Sequence, residues 1–311
     1  MVLLAEKRIL LTGGGGMVGQ NLLATAHDLQ IDHPTSRQLD LTDAGDVQAY
    51  LQDTKPDLII HAAGKVGGIQ ANMADPVGFL EKNLAIGRNL IMGAYHAGVP
   101  EFLNLASTCI YPRAAENPLR EEMVLAGELE PTNEGYAIAK IAALRLCEYI
   151  RRQRPELQYK TLIPCNLYGP HDNFHPDKSH LLPAIIRKVH DAKRSGAGEV
   201  EIWGDGTARR EFMYAGDLAQ VILKAADRLE TVPDLMNTGL GQDHSINDYY
   251  QTVADVLEWD GAFTHDLSKP VGMKQKLCST ARQTDWGWSA PTTLRDGISQ
   301  TYRHYLEYHA K

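Results

Sequence analysis

The chain has 311 residues, of which 43% are hydrophobic, and a formal net charge of −8. That hydrophobic content is enough for a sizeable core in one large domain or two modest ones, and it excludes a globally disordered chain. The negative charge and the lack of a long basic run exclude a nucleic-acid binder, and no apolar run reaches the roughly 18 residues of a membrane helix. A bound anion would therefore need a local basic patch.

No C-x-x-C pair joins the four cysteines, Cys109, Cys147, Cys165 and Cys278. This spacing predicts neither a zinc site nor a disulfide framework, and we expect reduced thiols in a cytoplasmic protein. The histidines within residues 171–180 have a metal-like composition. Because no HExxH motif or Cys/His quartet accompanies them, no metal site is predicted.

The first predicted element is a strand over residues 8–12, followed by a glycine-rich turn and a helix. Gly13, Gly16 and Gly19 fit the pattern G-x-x-G-x-x-G. The early glycines allow a tight turn close to a pyrophosphate, the last lets the helix pack on the strand, and the helix N-terminus attracts phosphate. The segment predicts the opening of a dinucleotide-binding βαβ unit.

The residues that follow the second predicted strand indicate which dinucleotide binds. No acidic residue closes this strand to bind a ribose 2′-hydroxyl; Thr35-Ser36-Arg37 follows instead. An arginine with hydroxyls suits a 2′-phosphate, so NADP(H) is favoured over NAD(H). Asp40 is expected to help seat the adenine.

Strands and helices then alternate, with predicted strands at 57–62, 101–106 and 161–164 and predicted helices at 76–97 and 134–152. Right-handed βαβ crossovers turn this order into a doubly wound parallel sheet. Ser107 comes just past the strand at 101–106. Open α/β sheets bind ligands at this carboxyl edge.

The alternation stops after Leu167, where a loop rich in Gly, Pro, Asn and His begins. Beyond it we predict strands at 199–203 and 235–238 and helices at 181–193, within 213–229 and at 246–259, the last capped by Ser245. We therefore expect an α/β protein with a dinucleotide-binding (Rossmann) domain at 1–167, to which some later segments return. Residues 168–311 are expected to form mainly a smaller, mixed α/β substrate lobe that shares one cleft with it.

Tyr136 and Lys140 lie four residues apart and so share one face of the helix predicted at 134–152. The ammonium is expected to lower the tyrosine pKa, and the Ser107 hydroxyl adds a second hydrogen bond to the oxygen that the phenol serves. This trio can carry out the acid–base half of a hydride transfer. Tyr-x-x-x-Lys is a weak motif by itself and gains weight from the glycine-rich turn.

Together these segments resemble the extended short-chain dehydrogenase/reductase family over nearly the whole chain. Three segments are more specific: Val-Gly-Gly-Ile, Cys-Ile-Tyr-Pro and His-Asp-Asn-Phe-His-Pro, within 66–69, 109–112 and 171–176. They are similar to those of family members that epimerise C3 and C5 of GDP-4-keto-6-deoxy-D-mannose and then reduce C4. The resemblance implies a GDP-linked keto-deoxy-sugar substrate, NADP(H), and a homodimer built from a helix pair of the parallel-sheet domain that includes the Tyr136 helix.

The resemblance also implies roles by position. Ser107, Tyr136 and Lys140 match the reductase trio, while Cys109 and His180 match the acid–base pair for epimerisation. Lys188, Trp203 and Arg210 match positions that hold the GDP-sugar. Contacts with the cofactor are expected from Gly13, Gly16, Met17, Val18, Gly19, Ser36, Arg37, Asp40, Leu41, Leu105, Ala106, Tyr136, Lys140, Pro164, Asn166, Leu167 and His180.

Three positions depart from the family pattern. Gly135 stands where proline is common before the tyrosine, and Gly15 stands where some members place an arginine near the 2′-phosphate. Ser279 stands where an aspartate that contacts the substrate is usual. The last two leave the NADPH preference and one substrate contact open.

Several alternatives remain open on the residues alone. Cys109 could be a buried hydrophobe, Trp203 a core residue and Arg210 a solvated charge beside Arg209. The protein could be a related GDP-keto-sugar enzyme, such as one that makes GDP-colitose or a C4 reductase without full epimerase activity, or it could be a non-catalytic dinucleotide sensor. A dehydratase is less favoured, because that chemistry needs an acid beside the serine and Thr108 and Cys109 offer none.

Overall fold

The computed structural model describes residues 3–176, 179–269 and 273–310. The strands are β1 (Ile9–Thr12), β2 (Ile31–Asp32), β3 (Leu58–His61), β4 (Glu101–Leu105), β5 (Gln158–Pro164), β6 (Asn166–Tyr168), β7 (Glu199–Trp203), β8 (Arg209–Arg210), β9 (Phe212–Tyr214), β10 (Leu235–Thr238), β11 (His244–Ser245), β12 (Ala262–Asp266) and β13 (Gln275–Lys276). The α-helices are α1 (Met17–Thr25), α2 (Ala44–Thr54), α3 (Ile69–Ala74), α4 (Pro76–Ala97), α5 (Glu134–Gln153), α6 (Leu181–Ser195), α7 (Ala215–Asp227), α8 (Ile246–Leu257), α9 (Ala281–Asp285) and α10 (Leu294–Tyr308). Short 3-10 helices cover Leu4–Glu6, Thr108–Ile110, Glu121–Met123, Pro131–Asn133 and Leu229–Thr231.

The central feature is a six-stranded sheet in the order β10-β5-β4-β3-β1-β2. All of its neighbouring strands pair in parallel, for example with Ile9 opposite Leu58. The chain moves from β1 to β2 on one side and then crosses to β3 on the other. The predicted doubly wound sheet is therefore confirmed, and the reversal at β1 opens a crevice at the carboxyl edge of the strands.

Helices cover both faces of this sheet, which explains why its strands are continuous apolar runs. On one face, Ile9 and Leu11 pack with Leu22 of α1 and with α7. On the other, Leu10 and Ile59 pack with residues of α2, α4 and α5. Alternate residues of β1 thus serve two separate cores.

Segments from the second half of the chain complete the sheet. Strand β10 pairs with β5, placing Leu235 opposite Thr161. A further core joins α6, α8 and α10 with β7, and includes the fully buried Ile186, Tyr249 and Ile298. None of the helices in the described parts of the chain is long and apolar enough to cross a membrane.

Local signals in the sequence account for several helix ends. Helix α4 begins at Pro76, where Asp75 caps it by accepting a hydrogen bond from the Gly78 amide at 3.0 Å, and it ends at Ala97, which is followed by Gly98 with a φ of 72°. Ser245 caps α8 as predicted, because its hydroxyl accepts from the Asp248 amide at 3.1 Å.

The packing of α1 on the glycine turn gives a stability prediction for Gly19→Ala. A methyl group at Gly19 would lie 2.3 Å from the Gly13 carbonyl oxygen and 2.5 Å from the Gly14 Cα, so the backbone would have to move. Such overpacking costs about 1–3 kcal/mol, which outweighs the gain of up to about 1 kcal/mol in helix propensity. We expect thermal denaturation to show a melting temperature about 2–4 °C lower.

Gly15→Ala is the matched control, because a methyl group at Gly15 would meet no atom within 4 Å. We expect its melting temperature to stay within about 1 °C of the parent, since an unstrained glycine-to-alanine change has a small effect. Equal melting temperatures for the two variants would contradict the close packing of α1 on the turn.

Candidate active site

A cavity of about 940 Å³ runs along the carboxyl edge of the central sheet, from the glycine turn to Tyr136 and Lys140. Its wall includes these predicted site residues: Gly13, Gly16, Met17, Val18, Ser36, Asp40, Leu41, Leu105, Ala106, Ser107, Cys109, Tyr136, Lys140, Pro164, Asn166, Leu167 and His180. Five other predicted site residues lie outside this wall: Gly19, Arg37, Lys188, Trp203 and Arg210. The structure thus brings the predicted dinucleotide and acid–base residues into one cleft.

The glycine turn forms one end of the cavity. Gly13 has a φ of 82°, and a Cβ there would lie 2.7 Å from the backbone of Ala62 and Ala63. Gly16 precedes α1 without a side-chain cap, so the first amides of the helix, from Met17 onward, have no intrahelical acceptor. This end of the cavity therefore suits a phosphate group.

The adjacent wall is formed by the segment that follows β2. Contrary to the sequence expectation, β2 ends in an acidic residue, Asp32, but its carboxylate accepts a hydrogen bond from the Tyr50 hydroxyl at 2.6 Å and does not line the cavity. His33, Thr35 and Ser36 line the cavity, whereas Arg37 does not. The Asp40 carboxylate accepts hydrogen bonds from the Thr42 hydroxyl at 2.7 Å and the Thr42 amide at 2.9 Å, which hold its pKa below the usual range. Asp40 is therefore an ionised residue at the wall, and its carboxylate is already engaged in a local turn.

The other end of the cavity is formed where β4 meets α5. Ser107 follows the last strand residue, Leu105, by two positions and precedes the 3-10 helix Thr108–Ile110. Tyr136 and Lys140 project from the first turns of α5, and the Lys140 Nζ lies 5.8 Å from the centre of the Tyr136 ring. Lys140 Nζ donates a hydrogen bond to the Leu105 carbonyl at 3.0 Å, which ties α5 to the end of β4.

The pKa of Tyr136 differs from the expectation based on sequence. Burial raises the pKa of the phenol above its ordinary value, and a thiolate at Cys109 would raise it further. Burial also lowers the pKa of Lys140 to about 8, so that a smaller fraction of its side chain is positively charged near neutral pH than for a surface lysine. The expected lowering of the Tyr136 pKa by Lys140 is thus wrong for this cavity, because desolvation of the phenol dominates.

Cys109 lies in the cavity wall next to a cation that the motifs did not identify. Burial raises the pKa of the Cys109 thiol, while the Lys276 ammonium is the largest of the effects that lower it. Within the described chain, the Lys276 ammonium has no carboxylate within 4 Å. The Cys109 Sγ also contacts the Ser107 carbonyl at 3.8 Å. A thiolate at Cys109 would therefore have Lys276 as its main counter-charge.

His180 lies immediately before α6 and lines the same cavity as Cys109. Burial lowers the pKa of its imidazole below the ordinary value of about 6.5. A neutral imidazole at physiological pH can accept a proton and then release it.

The predicted substrate residues lie in the C-terminal half of the chain. Lys188 Nζ lies 5.6 Å from the Trp203 ring centre, and Lys269 Nζ lies 5.4 Å from the same ring. Trp203 is 47% exposed, so it is not a core residue. Arg210 stands opposite Lys276 in the pairing of β8 with β13, which links it to the cavity wall.

The cavity wall includes further residues to which the sequence analysis gave no role, among them the polar residues Asn72, Lys82, Asn133 and Lys276. Asn133 belongs to the Pro-Thr-Asn-Glu segment before Tyr136, so its proximity to the tyrosine was the available signal. No local motif marks Lys276, because its segment reaches the site through a long-range backbone hydrogen bond, which the Leu119 amide donates to the Leu277 carbonyl. Among the residues that the structure describes, no group of three or more His, Cys, Asp or Glu side chains could hold a metal ion.

Fold and cavity together define a dinucleotide-binding α/β protein whose cleft also contains Ser107, Tyr136 and Lys140. The profile of the NAD dependent epimerase/dehydratase family matches residues 9–239. The chain therefore belongs to this family, which is part of the extended short-chain dehydrogenases/reductases.

Individual relatives are similar over nearly the full length. The chain is 50% identical over 302 residues to a GDP-L-fucose synthase from Azorhizobium caulinodans, covering 96% of each chain. It is 49% identical over 301 residues to a GDP-L-colitose synthase from Yersinia pseudotuberculosis, covering 96% of this chain and 98% of that protein. A crystal structure of a GDP-L-fucose synthetase from Naegleria fowleri bound to NADP matches with a TM-score of 0.87 at 25% identity, covering 100% of this chain and 97% of that chain.

The charge pair at Cys109 predicts the thiol reactivity of a Lys276→Met variant. Loss of the ammonium raises the Cys109 pKa further, so less thiolate is present at any pH below that pKa. We expect alkylation of Cys109 by iodoacetamide at pH 8 to slow by about 3–30-fold, since one pKa unit corresponds to a factor of ten. Mass spectrometry of the labelled peptide would measure this rate.

Lys274→Met is the matched control, because Lys274 lies two residues away, is exposed and does not line the cavity. Its Cys109 alkylation rate should stay within twofold of the parent. A Lys276→Met rate equal to that of the control would contradict the proposed charge pairing.

Proposed function

We propose that this protein catalyses the GDP-L-fucose synthase reaction, in which GDP-4-keto-6-deoxy-D-mannose is epimerised at C3 and C5 and then reduced at C4. One observation carries the proposal: Cys109, Tyr136, Lys140 and His180 line a single cavity that also contains the glycine turn. Relatives at 49% and 50% identity support the same class of substrate.

For epimerisation, the C4 ketone acidifies the neighbouring C–H bonds. The Cys109 thiolate removes a proton from carbon, which forms the S–H bond and leaves an enolate. His180, protonated beforehand to the imidazolium, delivers its proton to the opposite face of the ring and becomes neutral, since inversion requires two groups of mid-range pKa on the two faces. The Tyr136 and Ser107 hydroxyls donate hydrogen bonds to the enolate oxygen and so stabilise its charge.

For reduction, the Tyr136 phenol donates its proton to the C4 oxygen. Its raised pKa keeps the phenol protonated before the reaction, which suits a proton donor. Lys140 stabilises the phenolate that results, because its pKa of about 8 keeps it mainly protonated at neutral pH. Bound NADPH supplies the hydride.

The cofactor fits the cavity on two structural observations. The amides at the start of α1 have no intrahelical acceptor, and the close approach at Gly13 leaves no space for a side chain. These groups would hold the pyrophosphate, and Ser36 with Thr35 at the wall would contact the adenosine 2′-phosphate. The NADP-bound Naegleria fowleri structure supports NADP(H) rather than NAD(H).

The GDP moiety is assigned to the C-terminal lobe. Arg210 and Lys276 are neighbouring cations, and in the described residues neither forms an ion pair with a carboxylate. Two such cations suit a diphosphate. Trp203 exposes an aromatic face on which a base can stack, with Lys188 beside it.

A related reaction is the second candidate, because a GDP-L-colitose synthase is 49% identical to this chain. Colitose is a 3,6-dideoxy hexose, so that substrate has no hydroxyl at C3.

We also propose a homodimer formed through α4 and α5, supported by the exposed side chains of Val77, Ile138 and Tyr149 on these helices. A cytoplasmic location is proposed as well, which the four free thiols support.

Product identification tests the function directly. The protein is incubated with NADPH and either GDP-4-keto-6-deoxy-D-mannose or its 3-deoxy analogue, and the product is identified by NMR. We expect GDP-L-fucose to form from the first sugar at the higher kcat/KM. Preference for the 3-deoxy sugar would support the colitose reaction, and no NADPH oxidation with either sugar by the folded protein would support a non-catalytic dinucleotide sensor.

Tyr136→Phe should lower kcat for reduction by about 10²–10⁴-fold, the usual contribution of a general acid. Binding of NADPH, followed by fluorescence titration, should change little, because the ring remains in place. Tyr149→Phe is the control, since Tyr149 lies on the same helix but is 55% exposed and outside the cavity. A Tyr136→Phe enzyme as active as this control would exclude the proton-donor role.

A further inference from the structure

Glu211 is a buried acidic residue that the proposed catalytic steps do not use. It lies between β8 and β9, next to Arg210, and is 1% exposed. Its side-chain partners are backbone amides: Oε1 accepts hydrogen bonds from Leu240 at 2.7 Å and Gly241 at 2.9 Å, and Oε2 accepts one from Cys278 at 2.8 Å. A buried charge is costly unless donors satisfy it, so these three amides hold the side chain in one position.

The three amides also determine the charge of Glu211. Each amide is a donor, so a protonated carboxyl would set its own O–H group against one of them. Burial raises the pKa of the Glu211 carboxyl, while the hydrogen bonds from the amides of Cys278, Gly241 and Leu240 lower it. The arrangement of donors therefore requires the ionised carboxylate.

One of these amides belongs to the segment that carries Lys276 into the cavity wall. Cys278 follows Lys276 by two residues, and the pairing of β13 with β8 sets Lys276 opposite Arg210. The Glu211 carbonyl in addition accepts a hydrogen bond from the Asn166 Nδ2 at 3.1 Å, and Asn166 lines the cavity. Glu211 thus connects three parts of the wall from outside it.

We propose that Glu211 is a positioning residue that holds Lys276 beside Cys109 and Arg210, an inference that rests on the proposed function. Glu211 is not the counter-ion of Lys276, because in the described chain no carboxylate lies within 4 Å of that ammonium. It acts through the backbone of Cys278 instead. Both the pair of cations for the sugar diphosphate and the counter-charge of the Cys109 thiolate then depend on one buried side chain.

The thiols around Lys276 support this role. Burial lowers the pKa of Lys276, and three thiols, Cys109, Cys278 and Cys165, are near enough to raise it. Burial raises the pKa of the Cys165 and Cys278 thiols, and the Glu211 carboxylate raises it further. For Cys109 the largest charge effect is the Lys276 ammonium, which lowers the pKa against burial. Glu211 therefore keeps two thiols neutral and leaves Cys109 as the partner of Lys276.

Glu211→Gln breaks one of the three hydrogen bonds selectively. The single carbonyl oxygen of glutamine can accept the two bonds from Leu240 and Gly241, and its NH₂ group then faces the Cys278 amide, where two donors oppose each other. The shape of the side chain is kept. The change therefore releases the segment of Lys276 while the other two contacts persist.

We expect Glu211→Gln to raise the Kd of GDP, measured by isothermal titration calorimetry, by about 3–10-fold, because one cation of the diphosphate site is displaced. Alkylation of Cys109 by iodoacetamide at pH 8 should slow by about 3–10-fold, in the direction of Lys276→Met. The Kd of NADPH should stay within twofold of the parent. Thermal denaturation verifies that the variant is folded.

The Lys276→Met background separates positioning from a general structural role. If Glu211 acts through Lys276, adding Glu211→Gln to Lys276→Met changes the GDP Kd and the Cys109 alkylation rate less than twofold, because the two changes remove the same interaction. A further change of the full size in this background would show that Glu211 acts on the site by another route, and would overturn the proposal.

Asp217→Asn is the matched control. Asp217 is also fully buried and accepts hydrogen bonds from the Thr292 amide at 3.1 Å and the Thr292 hydroxyl at 2.6 Å, but neither residue lines the cavity. Its GDP Kd and Cys109 alkylation rate should stay within twofold of the parent.

Gly239→Ala is a second variant that does not depend on the folding of Glu211→Gln. A methyl group at Gly239 would lie 2.4 Å from the Glu211 Oε1, so it displaces the carboxylate without removing its charge. We expect weaker GDP binding and slower Cys109 alkylation from this change as well.

The outcomes separate the positioning role from the reaction itself. Unchanged GDP binding with unchanged or faster Cys109 alkylation in folded Glu211→Gln would overturn the role of Glu211 and leave the proposed function intact. If the folded parent neither binds GDP nor turns over the sugar, the proposed function is wrong. The alkylation rates then still decide whether Glu211 positions Lys276, because they need no substrate.

Discussion

The hydrogen bond from the Lys140 ammonium to the Leu105 carbonyl is the contact on which the geometry of the site depends. At 3.0 Å it joins the first turns of α5 to the last residue of β4. Ser107 and Cys109 follow that strand end directly, and Tyr136 lies one helical turn before Lys140. This buried contact thus ties the residues from both elements together, in addition to the packing of α5 and the pairing of β4. Since Lys140 is 7% exposed and desolvation brings its pKa to about 8, the contact involves a cation that is easily deprotonated relative to a surface lysine.

The charge of the cavity differs from that of the chain as a whole. The protein carries a net charge of −8, yet its cavity wall includes Lys65, Lys82, Lys140 and Lys276. Asp40 is the only acidic residue in the described wall, and Lys65 forms an ion pair with Asp75 outside it. This is the local basic patch that the sequence composition required for an anionic ligand. Both a dinucleotide phosphate and a sugar diphosphate would be attracted to such a wall.

Most of the fold was predictable because its signals are local. The bounds of α4, β7 and β10 agree with the sequence prediction, since local apolar patterns mark these elements without reference to distant residues, and the caps Asp75 and Gly98 fix the ends of α4. The glycine turn and the Tyr136–Lys140 spacing likewise identified most of the cavity wall.

The remainder of the site depends on burial and on distant contacts, which no motif encodes. Lys276 reaches the cavity because β13 pairs with β8 and because the backbone near Leu119 binds that of Leu277. The Tyr136 pKa is raised rather than lowered because the phenol is desolvated, a property of the packed cavity. The side-chain contacts of Glu211 likewise join it to residues 29 to 67 positions away along the chain.

The most direct test is a crystal structure of the protein with NADP⁺ and GDP-L-fucose bound. The account predicts that the Tyr136 hydroxyl lies within about 3 Å of the C4 oxygen. It also predicts that the nicotinamide ring lies against C4 and that the Cys109 sulfur faces the C3–C5 side of the sugar. A sugar ring bound away from Tyr136, or a nicotinamide that points out of the cavity, would contradict it.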